Sequence, residues 1–335
     1  MWLSPQIASS YGLAPYSNAT DNLLLGSALS NSAVITRVGN LTPYSGYASS
    51  NTLLNALRPF PQFSSIGVQN SPTGKTYYDS LQMKGTKRMS HGLQVNGTFT
   101  WSKAMQLIRP NLFVASDKSI QSTDQPFLFN ANILYTTQSW FGNKMVRTAV
   151  KDWSLGVYLA YGSGLPLTPP SATNTNYIGG SEWYRVPGQP LFLKDLNCGC
   201  INPYTDVVLN KNAWANPANG TFGPASGTLY SDFRQARRPQ ENLNFGRTFR
   251  FKERYSFQLR AEFTNILNRT QIGNPSTSNP ASSISSKNGQ NTGGFGAYSL
   301  AVSGPNVAPT YTQNGIVAQL YQLPRSGTLI ARFSF

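Results

Sequence analysis

The sequence predicts an all-β fold, an antiparallel transmembrane β-barrel, here a partial barrel of about seven to eight strands with long external loops and short periplasmic turns. Three observations predict it. Segments of about nine residues alternate apolar with polar side chains, close to the ~9–11 residues a tilted strand needs to cross a bilayer. The connections between them run short and long in turn. The face opposite the apolar one carries arginine and glutamate, too polar for a dry sandwich but suited to a wall with lipid outside and a polar lumen inside.

Composition agrees. Of 335 residues, 39% are hydrophobic and 12% charged, about half the charged share of soluble domains. Gly, Asn, Ser, Thr, Tyr and Phe fill the gap, which favours strands and turns. No apolar stretch approaches the ~20 residues of a membrane helix, so a helical membrane protein is excluded. Lys+Arg 27 against Asp+Glu 12 gives +15. No nucleic-acid partner is expected, because the basic residues are scattered apart from short clusters at 84–88 and 234–238 and no recognition motif accompanies them. A wall facing anionic lipopolysaccharide tolerates the excess. The N-terminal MWLSPQIASSYGL lacks the basic and apolar regions of a signal peptide. The odd strand count and the missing leader together give the expectation of an incomplete chain, the C-terminal part of a larger barrel.

Residues 1–76 read as a loop-rich external segment, with a remnant strand at 1–10 and helical turns at 23–29 and 53–57; 58–63 (RPFPQF) is rigid and extended. Residues 77–335 hold the C-terminal barrel strands. The first runs over 77–88 through Leu81 and Met83, and a four-residue link, 89–92, is short enough for a hairpin. Next, Leu93, Val95, Gly97, Phe99 and Trp101 alternate with Gln94, Asn96, Thr98 and Thr100. Residues 102–126 read as a polar loop. Strands at 127–135 and 153–161 follow, joined by a moderate link. Residues 162–240 form a very long excursion with most of the prolines and a tight Asn219-Gly220 turn.

Residues 242–264 then form a hairpin. Leu243, Phe245 and Phe249 line one face of its first strand, and Tyr255, Phe257, Leu259, Ala261 and Phe263 one face of its second. Arg254, Arg260 and Glu262 fall on the opposite face, where they are candidates for the lumen. On the lipid side each arginine would cost roughly 2–4 kcal/mol near the midplane, and the glutamate less. Mutual ion pairing is the commoner role for such charges, substrate contact the rarer one. A Gly/Asn/Ser-rich loop leads to the last strand, where Leu329, Ala331, Phe333 and Phe335 alternate with Thr328, Ile330, Arg332 and Ser334. Trp101, Tyr135, Trp153, Tyr161, Tyr255 and Phe263 sit at strand ends, as interfacial girdles require.

Enzyme chemistry finds no foothold. Gly74-Lys75-Thr76 has Gln69 where a phosphate loop needs glycine, and a strand follows instead of a helix. Gly162-Ser163-Gly164 lacks the third glycine of a dinucleotide site. Asp206, Asp232 and Glu241 have no spacing for metal or acid–base work. Cys198-Gly199-Cys200 reads as a loop disulfide or two idle thiols, with His91 far away. No cofactor and no metal are expected, and no catalytic constellation is present.

The sequence resembles the C-terminal barrel portion of TonB-dependent outer-membrane receptors, in particular the Oar-like group whose full-length members carry an N-terminal carboxypeptidase-regulatory-like domain. The resemblance rests on 57–63 (LRPFPQF), 78–103 (YDSLQMKGTKRMSHGLQVNGTFTWSK), 153–167 (WSLGVYLAYGSGLPL), 212–223 (NAWANPANGTFG), 242–268 and the terminal ARFSF. It implies a barrel of about 22 strands with a plugged lumen, and TonB engaging the absent N-terminal part. It also implies that Leu329, Ala331, Phe333 and Phe335 form the signal read by the barrel-assembly machinery. The expected function is import of a scarce ligand, an oligosaccharide or a chelated metal, at the outer membrane of a Gram-negative bacterium. A structural or adhesive surface barrel is the alternative, and a soluble β-rich binding protein a third.

Overall fold

The structure is a computed structural model that describes residues 3–15, 17–63, 74–108, 117–138, 142–172, 181–251, 254–269, 271–287, 289–298, 320–322 and 325–335. Its frame is one meandering antiparallel sheet. In chain order the first strands are β1 (Lys75–Ser90), β2 (Leu93–Ile108), β3 (Asp117–Ile120), β4 (Phe127–Thr136) and β5 (Trp153–Gly162). A small ladder of β6 (Tyr184–Arg185) and β7 (Trp214–Ala215) lies in the long excursion. The frame resumes with β8 (Gln240–Phe251) and β9 (Tyr255–Thr264). Next come β10 (Gln271–Ile272), β11 (Ser285–Lys287), β12 (Gln290–Gly293) and β13 (Leu320–Gln322), and the frame ends with β14 (Ser326–Ser334). The sheet runs β1-β2-β4-β5-β8-β9-β14, with β3 added to β2. It is not closed: β1 and β14 each have one long neighbour.

The register carries one apolar face across the sheet. Phe129 pairs with both Phe99 and Tyr161, Phe245 with Leu155 and Ala261, and Phe257 with Phe249 and Phe333. Directly paired residues share a face, so these side chains form rows, and the rings of Trp153 and Phe245 stack at 4.7 Å. A slip of one residue on any strand would turn its whole apolar set to the other side.

The connections alternate. β1 and β2 join through His91-Gly92 alone, tighter than the expected four residues. Both have positive φ, 52° and 81°, as a two-residue primed turn requires. A side chain at Gly92 would meet the Thr136 carbonyl oxygen at 2.1 Å, so only glycine fits. β8 and β9 are also joined tightly, and the β4–β5 link carries the short helix Lys144–Val150. At the other end the links are long.

Three expectations change. The segment 58–63 is not extended but bent, ending in a turn closed by Phe63 N–H to the Phe60 carbonyl. The 1–10 strand is absent: Pro5–Ser10 is a helix, α1, with proline in its first turn, where the missing N–H costs nothing. The eighth strand is instead β3, because β2 runs on to Ile108 and part of the supposed polar loop folds back on it through Met105↔Ile120 and Leu107↔Lys118. The remaining α-helices among the described residues are α2 (Ala19–Leu25), α3 (Ser32–Val38), α4 (Leu53–Ala56) and α5 (Lys144–Val150). Asn18, Asn31, Thr52 and Asn143 cap α2 to α5 with their side-chain oxygens. Helices this short are marginal alone. Burial of Ala8, Leu25, Val34 and Leu53 in a shared core holds α1 to α4.

The excursion is folded too. Leu167, Trp183, Val208, Leu209, Trp214 and Phe233 form a second core, joined by Phe295 and Tyr298 from the loop after β9. Phe233 sits 5.2 Å from Trp214 and 5.6 Å from Phe192, ring to ring. The Asn219-Gly220 turn forms as expected, closed by Thr221 N–H to the Ala218 carbonyl. The bare Gly220 backbone lies against α2, where a Cβ would meet the Ala19 oxygen at 2.2 Å. Asn22 donates its amide to the Gly220 carbonyl at 2.6 Å. The N-terminal helices and both long loops thus stack into one layer at the long-loop end.

Candidate functional site

The polar face of the sheet follows from the same register. Asn130 lies between Thr98 and Ala160, Asn132 between Asn96 and Tyr158, Asn244 between Gly156 and Glu262, and Gln258 between Thr248 and Arg332. Arg260 and Glu262, two apart on β9, share this face and bond to each other, Nη2 to Oε1 at 2.6 Å. Both are partly exposed, so the pair adds about 0.2–1 kcal/mol and mainly leaves the face locally neutral. Arg254 stands in the turn before β9, exposed, and so precedes the wall.

The aromatics named from sequence all lie on the apolar face. Trp101, Tyr161 and Phe263 sit toward the long-loop end, and Tyr135, Trp153 and Tyr255 toward the short-turn end. Tyr161 also donates its hydroxyl to Glu241 Oε1 at 3.1 Å, and Arg269 Nε donates to the same oxygen at 2.9 Å. Glu241 is buried there, under the first turn of the chain after β9. Leu329, Ala331 and Phe333 share the apolar face of β14, and Phe335 follows it fully exposed.

A latch fixes the loop layer over the sheet rim. Asp124, between β3 and β4, is fully buried; its Oδ1 accepts from the Ala104 N–H on β2, and its Oδ2 pairs with Arg234 at 2.5 Å. Arg234 also donates to the carbonyls of Asp124, Gly164 and Ser231. One guanidinium therefore ties the β3–β4 link, the exit of β5 and the end of the excursion, using the fork geometry that only arginine offers. Ser119 on β3 adds a second tie, accepting from the Leu229 N–H at 2.6 Å and donating to the Leu229 carbonyl.

Within the layer, Glu182 is buried and accepts from the Gly227 N–H at 3.0 Å. Burial pushes its carboxyl above the usual range, while that bond and the Ser171 and Ser226 hydroxyls pull it back. Burial likewise pushes Tyr298 up to about 12, with the Asp206 charge adding to it. Lys194 holds Asp206 low, and the Asn197 backbone holds Asp195 low. Arg185 forks onto both oxygens of Asp232 at 3.0 Å. Cys198 and Cys200 are bonded to each other. Among the described residues no group of three His, Cys, Asp or Glu side chains is arranged to hold a metal. No described helix is long and apolar enough to cross a membrane, which says nothing of strands.

Sequence reasoning passed over Asp124 and Glu182. Their partners lie 110 and 45 residues away, and no local spacing announces such pairs. The one available signal was a lone acid in a polar stretch and an arginine opening the 234–238 cluster. The site is arranged as a wall with one polar and one apolar face, tied at its long-loop end to a folded loop layer with its own core. The family model described as outer membrane beta barrel domain matches residues 19–303. No curated protein and no solved structure matches the chain.

Proposed function

We propose a transport role for this chain, which belongs to the outer membrane beta barrel domain family and lies in the outer membrane of a Gram-negative bacterium. The chain is read as the C-terminal strands and external loops of a TonB-dependent receptor that imports a scarce ligand, an oligosaccharide or a chelated metal. The observation that carries this reading is the pairing of a polar inner face with a loop layer that has its own core and is latched to the rim by Arg234. A wall that only reinforces the membrane needs no such lid, whereas a selective entry does. The open edges of β1 and β14 support a larger barrel, since unpaired backbone cannot face lipid. Its partners on this reading are outer-membrane lipid and lipopolysaccharide, the barrel-assembly machinery, TonB and a small ligand, with no nucleic acid and no catalysis.

The alternative, an adhesive surface barrel, draws on exposed apolar side chains in the loop layer: Tyr184, Leu193, Tyr204 and Leu267. Uptake decides between them. Cells carrying or lacking the gene are fed labelled oligosaccharides and ferric chelates, with and without a protonophore. Transport predicts accumulation that needs both the gene and the proton gradient. Unchanged uptake in the deletion strain, together with lost attachment to cells or matrix, would overturn it in favour of adhesion.

A further inference from the structure

The β4–β5 connection holds a feature that neither the wall nor the lid uses. Helix α5 (Lys144–Val150) is exposed almost along its whole length, and Met145 is 85% exposed. At helical spacing Met145, Val146, Ala149 and Val150 form one stripe, and Lys144, Arg147 and Lys151 form another. No acid lies between 142 and 151. Asp152 is the first, 3.8 Å from Lys151 and bonded to Arg250 at 3.1 Å. Lys144 and Arg147 have no acidic partner among the described residues.

The helix is tied to the lipid side of the wall. Trp153 and Arg247 are register partners on the apolar face, at the short-turn end. Trp153 Nε1 donates to the Ala149 carbonyl at 2.8 Å, the Arg247 guanidinium donates to the Thr148 carbonyl, and Thr137 donates to Val150. The Arg247 cation lies 5.4 Å from the centre of the Trp153 ring and 4.8 Å from that of Phe249. A cation held between aromatic faces on a lipid-facing surface is the arrangement of an interface, where the stem stays dry and the head reaches the headgroups.

A seven-residue helix held by its own chain only at its cap and its last turn is marginal in water. We propose that α5 lies in the headgroup layer of the inner leaflet. Met145, Val146 and Ala149 enter the acyl boundary there, and Lys144, Arg147 and Lys151 bind the phosphates of anionic phospholipids. Short turns mark the periplasmic end, so this leaflet is the phospholipid one. Lipid is favoured over a periplasmic protein because the anchoring residues belong to a face already in lipid. The cationic and apolar stripes are also divided as in an interfacial helix.

The test uses the whole barrel to which this chain belongs, carrying Met145→Cys, the native cysteines of this chain being bonded to each other. A polarity-sensitive fluorophore on the introduced thiol is read in vesicles of phosphatidylethanolamine with phosphatidylglycerol and in vesicles of phosphatidylcholine. The same label at Leu193→Cys, in the exposed loop layer, serves as the water reference. Quenching by shallow spin-labelled lipid is expected at position 145 and not at position 193. It should be stronger with phosphatidylglycerol, and that preference should weaken about fivefold for each cation removed in Lys144→Gln and Arg147→Gln. A label at position 145 as water-exposed as that at position 193 overturns the proposal and points to a periplasmic protein as the cover. Equal quenching in both lipids, unmoved by the charge substitutions, overturns the phosphate assignment.

Discussion

On the wall, Trp101, Leu329 and Phe333 are more than half exposed to solvent, whereas in the loop layer Phe233, Val208 and Leu209 are sealed from it. The two regions solve the same problem with different solvents. The wall needs no dry core, because lipid covers one face and a polar interior the other. The layer stands in water and must bury its own apolar surface, at roughly 1.5–3 kcal/mol for each large side chain sealed. The difference explains why the wall is built of regular alternation and the layer of irregular segments crossing one another. It also predicts that the two can be uncoupled.

The sharpest cut is at the latch. Arg234→Ala leaves Asp124 buried and unpaired, a loss of roughly 3–5 kcal/mol. Proteolysis in detergent is expected to digest 163–239 early while the strands stay protected. Simultaneous loss of both would mean that wall and layer fold as one unit.

The next test belongs to the wall alone. Ala261→Arg puts a charge on the lipid face and is expected to cost roughly 2–4 kcal/mol in bilayers. Gln258→Arg on the polar face should cost no more than about 1 kcal/mol, from repulsion with Arg332 opposite it. Denaturant unfolding in vesicles measures both, and equal costs would refute the assignment of faces.

A smaller effect concerns pH in the layer. Glu182 has its folded carboxyl raised by burial, so it favours the fold when protonated. That contribution is complete below the ordinary glutamate range and is lost as pH rises through the raised folded value. Glu182→Gln is therefore expected to raise the layer's unfolding midpoint at neutral pH and to make little difference in acid. A drop at neutral pH would show that the carboxylate is needed charged.

The smallest effect is expected at Arg260 and Glu262. Both are partly exposed, so a double-mutant cycle should give about 0.2–1 kcal/mol of coupling. A much larger value would mean that the pair is desolvated, and that the polar face is covered in the folded barrel.

The long wall strands were legible from period and length alone, because a strand between lipid and a polar lumen writes its two faces into alternate residues. Residues 242–264 and 326–334 show this directly. The extension of β2 and the pairing of β3 were hidden, since Lys103 on the apolar side and Ala104 and Ile108 on the polar side break the alternation beyond Trp101. Local pattern was enough for the class of fold, the apolar face, the alternation of short and long links, and the placing of Arg260 and Glu262 on one polar face. It was not enough for the closing of the long loops into a cored layer, the meeting of Asp124 and Arg234 across 110 residues, or the resting of α5 on the outer face of the wall. Those emerged with the folded chain. Period is a local property of a chain in a uniform surrounding, whereas the layer's contacts join residues far apart, and no short-range pattern records them.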